Sequence, residues 1–352
     1  MNILINGVGG PTPRSIARTI RQYCQFENVK LIGTDNNPVA YGLYEDDLYD
    51  QTHLVPPAGH PDYWPAIEEI IEKHNISLAL VHPEQEVMAW SKRMEDDKTP
   101  CKVMLPSHSM SELLVDKSKM TEVLKDSGLV PESYVFNADI KRFEDLEATL
   151  TYPFWIRATS GSSGLGSLKV ENRDALTHWL HINPSVKHII ASTFLPGRNL
   201  AVKLLYHKGK LLRSASGERV SYIMSKVAPS GITGNTSFGR LLNESGLVEQ
   251  AVKAMELLFE YTGSEKHGFF TADFKEDETG HPYITEINVR MVAFNLSFAA
   301  GGANFTEDII RLLSEDSSFD RTYKMYEFEP GTIFLRDVDA EPKLMNEKDL
   351  KT

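Results

Sequence analysis

The sequence predicts an α/β fold that begins with a parallel sheet covered by helices on both faces and continues into an α+β part. Over about the first hundred residues, short apolar runs alternate with helical patterns, which is typical of βαβ units. After about residue 110 the chain is rich in strand patterns instead. Its 352 residues are enough for two or three domains. A 41% hydrophobic and 24% charged composition excludes a collagen-like, coiled-coil or wholly disordered chain.

The elements of the first part follow from apolar runs that turn residues interrupt. No basic segment precedes the apolar run at residues 2–6, so this run predicts a β-strand and not a signal peptide. Apolar residues at helical spacing predict helices over 11–22 and 64–74. Further strands are expected at residues 29–33, 78–81 and 103–105.

The later part combines helices with many short strands. Helices are predicted over residues 111–127, 249–262 and 306–314, and a charged tail follows residue 330. The expected strands lie at residues 154–158, 168–170, 188–194, 200–206, 210–213, 268–274 and 283–288.

Charge and cysteine content narrow the class of protein. The net charge of −12 argues against a dedicated nucleic-acid binder, because a phosphate backbone attracts clustered Lys and Arg. No stretch approaches about 18 uninterrupted apolar residues, so no membrane partner is expected. Cys24 and Cys101 have neither disulfide-framework nor metal-site spacing, which favours reduced thiols and a cytoplasmic location. His82 and His267 are interpreted as structural or solvent-facing.

Three glycines, Gly7, Gly9 and Gly10, separate the first strand from the first helix. Glycine in this place lets an anion approach the N–H groups at a helix N-terminus. The spacing departs from the Gly-x-Gly-x-x-Gly dinucleotide fingerprint, although Asp35 ends the second strand, where an acid binds ribose in such folds. A structural turn, an anion site and NAD binding all stay open. Gly9, Gly10, Asp35 and Glu84 could also line an acceptor site at the strand ends.

A Gly/Ser-rich segment at residues 160–166 follows Arg157 and joins two predicted strands. Glycine leaves backbone amides uncovered, and amides, hydroxyls and one fixed cation suit a polyphosphate. No Gly-Lys-Ser/Thr sequence opens a helix here, so the segment is not a Walker A loop. A linker between two strands is the alternative.

The third group consists of Asp273, Glu286, Asn288 and Arg290. Glu286 and Asn288 are two residues apart in one predicted strand, so both side chains project from the same face. Asp273 lies on the preceding hairpin strand and can point to the same place. Two carboxylates and an amide oxygen suit Mg²⁺ that holds nucleotide phosphates, and Arg290 can reach a phosphate oxygen. A hairpin with solvated acids is the alternative.

With these motifs, the sequence resembles the ATP-grasp superfamily over about residues 1–320, most closely the carbamoyl-phosphate synthetase large-subunit type. The resemblance implies a Rossmann-like pre-ATP-grasp domain followed by a two-subdomain ATP-grasp fold that clamps ATP. The implied divisions are a Rossmann-like domain at 1–110, a connecting helix at 111–128, a small lid subdomain at 129–193, a C-terminal subdomain with the magnesium site at 194–330, and a tail at 331–352.

The resemblance also implies roles for individual residues. Asp273, Glu286 and Asn288 match the magnesium ligands, and Arg290 matches a catalytic phosphate-contacting arginine. Arg219 could hold an anionic intermediate, with a surface loop as the alternative. The implied ATP-binding residues are Lys117, Arg157, the flexible-loop residues Ser160, Gly161, Ser162, Ser163 and Gly164, and the hinge residues Thr193, Phe194, Leu195 and Asn199.

Two departures from the family pattern affect the ATP site. Thr193 and Asn199 stand where the family commonly has glutamates, one of which contacts ribose. Val289 stands where the family commonly has proline. These departures motivate a second hypothesis, a nucleotide-binding protein with weakened catalysis.

The resemblance implies an ATP-dependent ligase that activates a carboxylate as an acyl phosphate for attack by an amine. ATP and Mg²⁺ are the expected cofactors, and Mn²⁺ could replace Mg²⁺. The expected partners are a small-molecule carboxylate and an amine, with a homodimer as an open alternative to a monomer. A carbamoyl-phosphate synthetase-like half enzyme acting on bicarbonate is the other alternative, since the chain has room for one of the two halves.

Overall fold

A computed structural model describes residues 1–138, 143–159, 166–228, 230–292, 294–338 and 340–349. The first five strands form a parallel sheet in the order β3-β2-β1-β4-β5. Ile3 and Leu4 are fully buried on opposite faces, because helices cover both sides of this sheet. Its elements are β1 (Asn2–Asn6), α1 (Pro11–Tyr23), β2 (Lys30–Asp35), β3 (Gln51–Leu54), α2 (Tyr63–His74), β4 (Leu78–Leu80), α3 (Glu84–Glu95) and β5 (Lys102–Val103).

The connecting region contains two helices, and the single helix predicted at residues 111–127 is wrong. They are α4 (His108–Val115) and α5 (Lys117–Leu124). Asp116 between them has extended backbone angles, and its side chain accepts a hydrogen bond from the Ser118 N–H group at 3.0 Å. An aspartate N-cap of this kind starts a new helix, and it places Lys117 at the first helical position.

A small antiparallel sheet follows, in the order β6-β9-β7-β8. It has a buried cluster of its own, which includes Phe154, Ile156 and Trp179. Its elements are β6 (Ser133–Asn137), α6 (Phe143–Thr149), β7 (Phe154–Ala158), β8 (Leu168–Val170), α7 (Arg173–Ile182) and β9 (His188–Thr193).

The third sheet has eight strands, ordered β14-β13-β10-β11-β12-β16-β17, and β15 pairs with β11. Helix α8 packs its apolar face against this sheet, and the Leu296 N–H group donates to Ser15 Oγ at 3.1 Å, which links the sheet region to α1. The elements are β10 (Asn199–His207), β11 (Lys210–Tyr222), β12 (Thr236–Leu242), α8 (Ser245–Thr262), β13 (Gly268–Glu276), β14 (Pro282–Asn288), α9 (Asn295–Ala300), α10 (Phe305–Leu313), β15 (Lys324–Met325), β16 (Thr332–Asp337) and β17 (Ala340–Asn346).

This architecture confirms the predicted fold class, but it corrects two segments. The short strand expected at residues 210–213 continues to Tyr222, so Arg219 lies within a strand and not in a surface loop. The segment expected to be a charged tail contains β16 and β17, which extend the large sheet. Phe334 of β16 is fully buried against β12, and this burial explains why the segment is ordered. No helix in the described ranges has the length and apolar content needed to cross a membrane.

The contact between β12 and β16 gives a testable prediction. A Cβ atom at Gly239 would clash with the Phe334 ring and lie 2.5 Å from the Glu218 carbonyl oxygen. We expect Gly239→Ala to lower the free energy of unfolding by about 1–3 kcal/mol through overpacking, measured by urea denaturation. Gly246→Ala in α8 is the control, because a Cβ there meets no atom within 4 Å. Equal stability of the two variants would contradict the packing of β16 on β12.

Candidate active site

A cavity of about 940 Å³ opens where the three sheets approach one another. Its walls come from the carboxyl ends of the parallel strands, from β7, β8 and the chain after β9, and from β11, β13 and β14. A cavity of this size can hold a nucleotide-sized ligand together with a second small molecule.

The cavity brings together the predicted catalytic, ATP-binding and metal-binding residues that the structure describes. Of the residues expected at an acceptor site, Gly10 and Asp35 belong to the described lining, whereas Gly9 and Glu84 do not. Ser160, Gly161, Ser162, Ser163 and Gly164 lie outside the described residues. The predicted residues that line the cavity are Lys117, Arg157, Thr193, Phe194, Leu195, Asn199, Arg219, Asp273, Glu286, Asn288 and Arg290.

The register between β13 and β14 puts the acidic residues side by side. Asp273 pairs with Glu286, whereas the next residue pairs with Ile284, so Thr285 forms a bulge. Because of this extra residue, Ile284 and Ile287 both face the core while Glu286 and Asn288 face the cavity. The Asn288 Nδ2 group donates to Asp273 Oδ2 at 3.4 Å.

Arg219 reaches across the large sheet to Asp273. Its Nη2 donates to Asp273 Oδ1 at 2.5 Å, and its Nε has no hydrogen-bond partner in the described ranges. Burial raises the pKa of Asp273 to about 6, and Arg219 opposes that rise. Arg219 therefore pairs with a carboxylate through Nη2 and contributes a positive charge to the lining of the cavity.

The other carboxylate, Glu286, also faces cations. Lys117 Nζ lies 3.4 Å from Glu286 Oε1, and the charge of Glu286 favours the protonated form of Arg157 against the desolvation that lowers the pKa of that guanidinium. Two carboxylates and the Asn288 amide oxygen are the hard oxygen donors that Mg²⁺ prefers, so the residues present fit this ion. The neighbouring cations would balance the charge of bound phosphates.

The far end of the cavity is aromatic and includes residues that the sequence analysis missed. Trp155 and the predicted Phe194 have ring centroids 6.5 Å apart. Lys169 Nζ lies 4.6 Å from the Phe194 centroid and 2.6 Å from Glu171. Trp155 and Lys169 lie on β7 and β8, and strand alternation places both side chains toward the cavity. A flat aromatic ring can stack at this end.

The glycine turn after β1 uses its own amides internally. The Gly7 and Val8 N–H groups donate to the Thr34 carbonyl, and the Gly10 N–H group donates to the Gly7 carbonyl at 2.9 Å. The Gly9 N–H group donates to Asp35 Oδ2 at 2.7 Å. These four amides are therefore not available to a phosphate. Of the alternatives that the sequence left open for this turn, the hydrogen bonds favour the structural one.

Lys203 is a further charged residue near the site that the sequence analysis did not identify. It lies in the apolar strand β10, is fully buried and donates to Asn295 Oδ1 at 2.5 Å. Its Nζ lies 4.8 Å and 5.0 Å from the ring centroids of Phe294 and Phe298. Burial and the charge of Arg219 lower the pKa of Lys203 to about 7. A charged residue within an apolar strand was the signal that could have drawn attention to it.

Comparison with known proteins relates this chain to solved structures. No protein-family model and no curated protein sequence matches it. The fold is similar to that of N5-carboxyaminoimidazole synthetase from Staphylococcus aureus in complex with ADP, with a TM-score of 0.69 and 14% identity over 95% of this chain and 81% of that chain.

Two further structures show the same likeness. Biotin carboxylase from Campylobacter jejuni, in a β,γ-ATP complex, has a TM-score of 0.67 and 20% identity over 95% of this chain and 75% of that chain. L-amino acid ligase from Bacillus licheniformis has a TM-score of 0.66 and 17% identity over 95% of this chain and 78% of that chain. At these identities the likeness establishes the fold over nearly the whole chain and leaves the activity to be argued from the site.

The buried ring of His82 gives a prediction for pH-dependent stability. Burial lowers the pKa of His82 to about 3, whereas an unfolded histidine titrates near 6.5. Below pH ~6.5 the unfolded chain therefore binds a proton that the folded chain does not, and stability falls by up to about 1.4 kcal/mol per pH unit. We expect His82→Leu to reduce the stability loss between pH 7 and pH 5 by up to about 2 kcal/mol, measured by urea denaturation. Parallel pH profiles for both proteins would contradict this.

Proposed function

We propose that this chain, which has the ATP-grasp fold predicted from its sequence, is an ATP-dependent ligase that joins a carboxylate to an amine. The observation that carries the proposal is the pairing of Asp273 with Glu286 beside Asn288 in a cavity lined by cations. Oxygen ligands for a divalent ion next to Arg and Lys side chains are what a nucleoside triphosphate tail requires.

The geometry supports one orientation of the nucleotide. The base would lie at the aromatic end against Trp155 and Phe194, since these rings offer a stacking surface. The phosphates would extend toward Arg157, Lys117 and Glu286. Thr193 and Asn199 line the hinge side, where they offer a hydroxyl and an amide to ribose in place of the glutamates of the family.

The proposed chemistry activates a poor electrophile. A carboxylate oxygen attacks the γ-phosphorus of ATP, the bond from that phosphorus to the bridging oxygen breaks, and ADP and an acyl phosphate form. When bound, Mg²⁺ neutralises charge that develops on the phosphates. Arg219 and Arg290 would hold the anionic acceptor beside the γ-phosphate, since both side chains line the cavity. An amine then forms the C–N bond and releases phosphate.

Two narrower alternatives remain with this proposal. Bicarbonate is the smallest acceptor, and a biotin carboxylase domain from Hydrogenobacter thermophilus with this fold was solved with MgADP and bicarbonate. This motivates the carbamoyl-phosphate synthetase-like half enzyme. Thr193 and Asn199 motivate a nucleotide-binding protein with weakened catalysis. The homodimer and the cytoplasmic location stay predictions, as does the replacement of Mg²⁺ by Mn²⁺.

The metal assignment is tested by nucleotide binding. We expect Glu286→Gln to weaken the binding of MgADP by at least about tenfold, because a charged oxygen ligand is lost, as measured by calorimetry with and without Mg²⁺. Glu278→Gln is the matched control, since Glu278 is exposed in the turn between β13 and β14 and does not line the cavity. Unchanged Mg²⁺-dependent binding in Glu286→Gln would count against the assignment.

The reaction class is tested by trapping the activated acid. The protein is incubated with MgATP, hydroxylamine and one acid at a time, from bicarbonate, acetate and the twenty common amino acids. We expect an acid-dependent increase in ADP release, together with a hydroxamate where the acid is organic. Stimulation by bicarbonate alone would favour the half enzyme. MgATP binding without acid-dependent ADP release would favour the weakened nucleotide-binding protein and reject the ligase.

A further inference from the structure

The two sides of the cavity carry opposite charge. The cations that line it, among the described residues, come from the chain after residue 110: Lys117, Arg157, Lys169, Arg219, Lys275 and Arg290. The wall formed by the N-terminal parallel-sheet domain contributes Asp35 and Glu86 and no Lys or Arg to the described lining. We call this surface, comprising Asp35, Asn36, His82, Gln85 and Glu86, the N-terminal wall.

Buried hydrogen bonds hold Glu86 in one orientation. Trp90 Nε1 donates to the Tyr63 hydroxyl at 2.8 Å, and that hydroxyl donates to Glu86 Oε2. Asn6 Nδ2 donates to the same oxygen. Trp90, Tyr63 and Asn6 are fully buried and Glu86 is only 8% exposed, whereas Oε1 accepts no hydrogen bond from the described residues. A carboxylate fixed by one oxygen thus keeps its other oxygen for a ligand.

The other titratable side chain of this wall, His82, is neutral. It is 4% exposed and lines the cavity, and Nδ1 has no hydrogen-bond partner in the described ranges. Burial and the charge of Arg290 lower the pKa of His82 to about 3, so the ring adds no positive charge to the wall near pH 7.

The remaining groups of the wall also favour a donor as the ligand. The amides of the glycine turn are used internally, so this wall does not offer them to an anion. The carboxylate of Asp35 accepts the Gly9 and Asn37 N–H groups at 2.7 Å and 2.9 Å, which holds a negative charge at the end of β2. An anion here would meet two carboxylates, whereas an ammonium group would satisfy them.

We propose that the N-terminal wall binds the ammonium group of the amine substrate, with Glu86 Oε1 as its hydrogen-bond partner and Asp35 as a second negative charge. This inference rests on the proposed ligase function. It assigns the carboxylate substrate to Arg219 and Arg290 and the amine to the parallel-sheet domain. In this arrangement each charged substrate group faces a side chain of opposite charge until the acyl phosphate has formed.

The test uses two small probes that differ in one group. Glycinamide carries an ammonium group and no carboxylate, and glycolamide replaces that group with a hydroxyl. Dissociation constants for both probes are measured by saturation-transfer NMR at pH 7 with wild type, Glu86→Gln and Glu72→Gln. Glu72 is exposed on α2 in the same domain and does not line the cavity, so it is the matched control. Thermal unfolding of each variant establishes that it is folded.

For wild type and Glu72→Gln we expect the dissociation constant of glycinamide to be at least about tenfold lower than that of glycolamide. The reason is that glycolamide lacks the charge-assisted hydrogen bond of the ammonium group. Glu86→Gln should lose most of this preference. The inference is overturned if glycinamide fails to bind, if it binds no better than glycolamide, or if folded Glu86→Gln and Glu72→Gln behave alike.

The probe experiment needs no turnover, so its result is separable from that of the trapping assay. A protein that forms hydroxamate but shows no preference for glycinamide would reject the amine site alone. A protein that prefers glycinamide through Glu86 but never releases ADP in an acid-dependent manner would reject the ligase function alone.

Discussion

The site depends on the pairing of β13 with β14 around the bulge at Thr285. A strand alternates strictly between two faces, so Ile284 and Ile287 could not both pack in the core without one extra residue between them. The same extra residue sets Glu286 opposite Asp273. Core packing and the juxtaposition of the two carboxylates are therefore one constraint, and a shift of register would disrupt both.

Charge balance is the second feature that connects fold and site. Asp273 and Glu286 would repel each other in a half-buried cavity, but Arg219 and Lys117 lie at 2.5 Å and 3.4 Å from them. Breaking such a pair leaves a desolvated charge, which is strongly unfavourable. Buried Lys203, held by Asn295 and phenylalanine rings, lies on the same face of the sheet as Asp273. Under the proposed function, the cations of the cavity would bind negative phosphates, while the parallel-sheet domain contributes Asp35 and Glu86.

Most of the local structure could be predicted because it follows from local patterns. The parallel-sheet domain was evident from alternating apolar runs, and Glu286 and Asn288 were assigned to one face from their spacing alone. The two failures have different causes. Asp116 caps a second helix where one was expected, which is a local effect, whereas Phe334 of β16 packs on β12, which is distant in the sequence. The sequence left open whether Arg219 contacts a ligand or lies in a surface loop. The pairing of its strand, β11, with β12 becomes irregular directly after this residue.

The sequence by itself determined the fold class, the order of the elements and the residue types at the candidate metal and phosphate positions, because periodicity and short motifs are properties of neighbouring residues. Tertiary structure alone decided which distant groups meet. Trp90, Tyr63 and Glu86 form a buried relay only after α2 and α3 pack on the same sheet. His82, interpreted from sequence as structural or solvent-facing, lines the cavity with an unpaired nitrogen. Burial and the absence of a hydrogen-bond partner depend on the whole surroundings of a side chain, which no local pattern encodes.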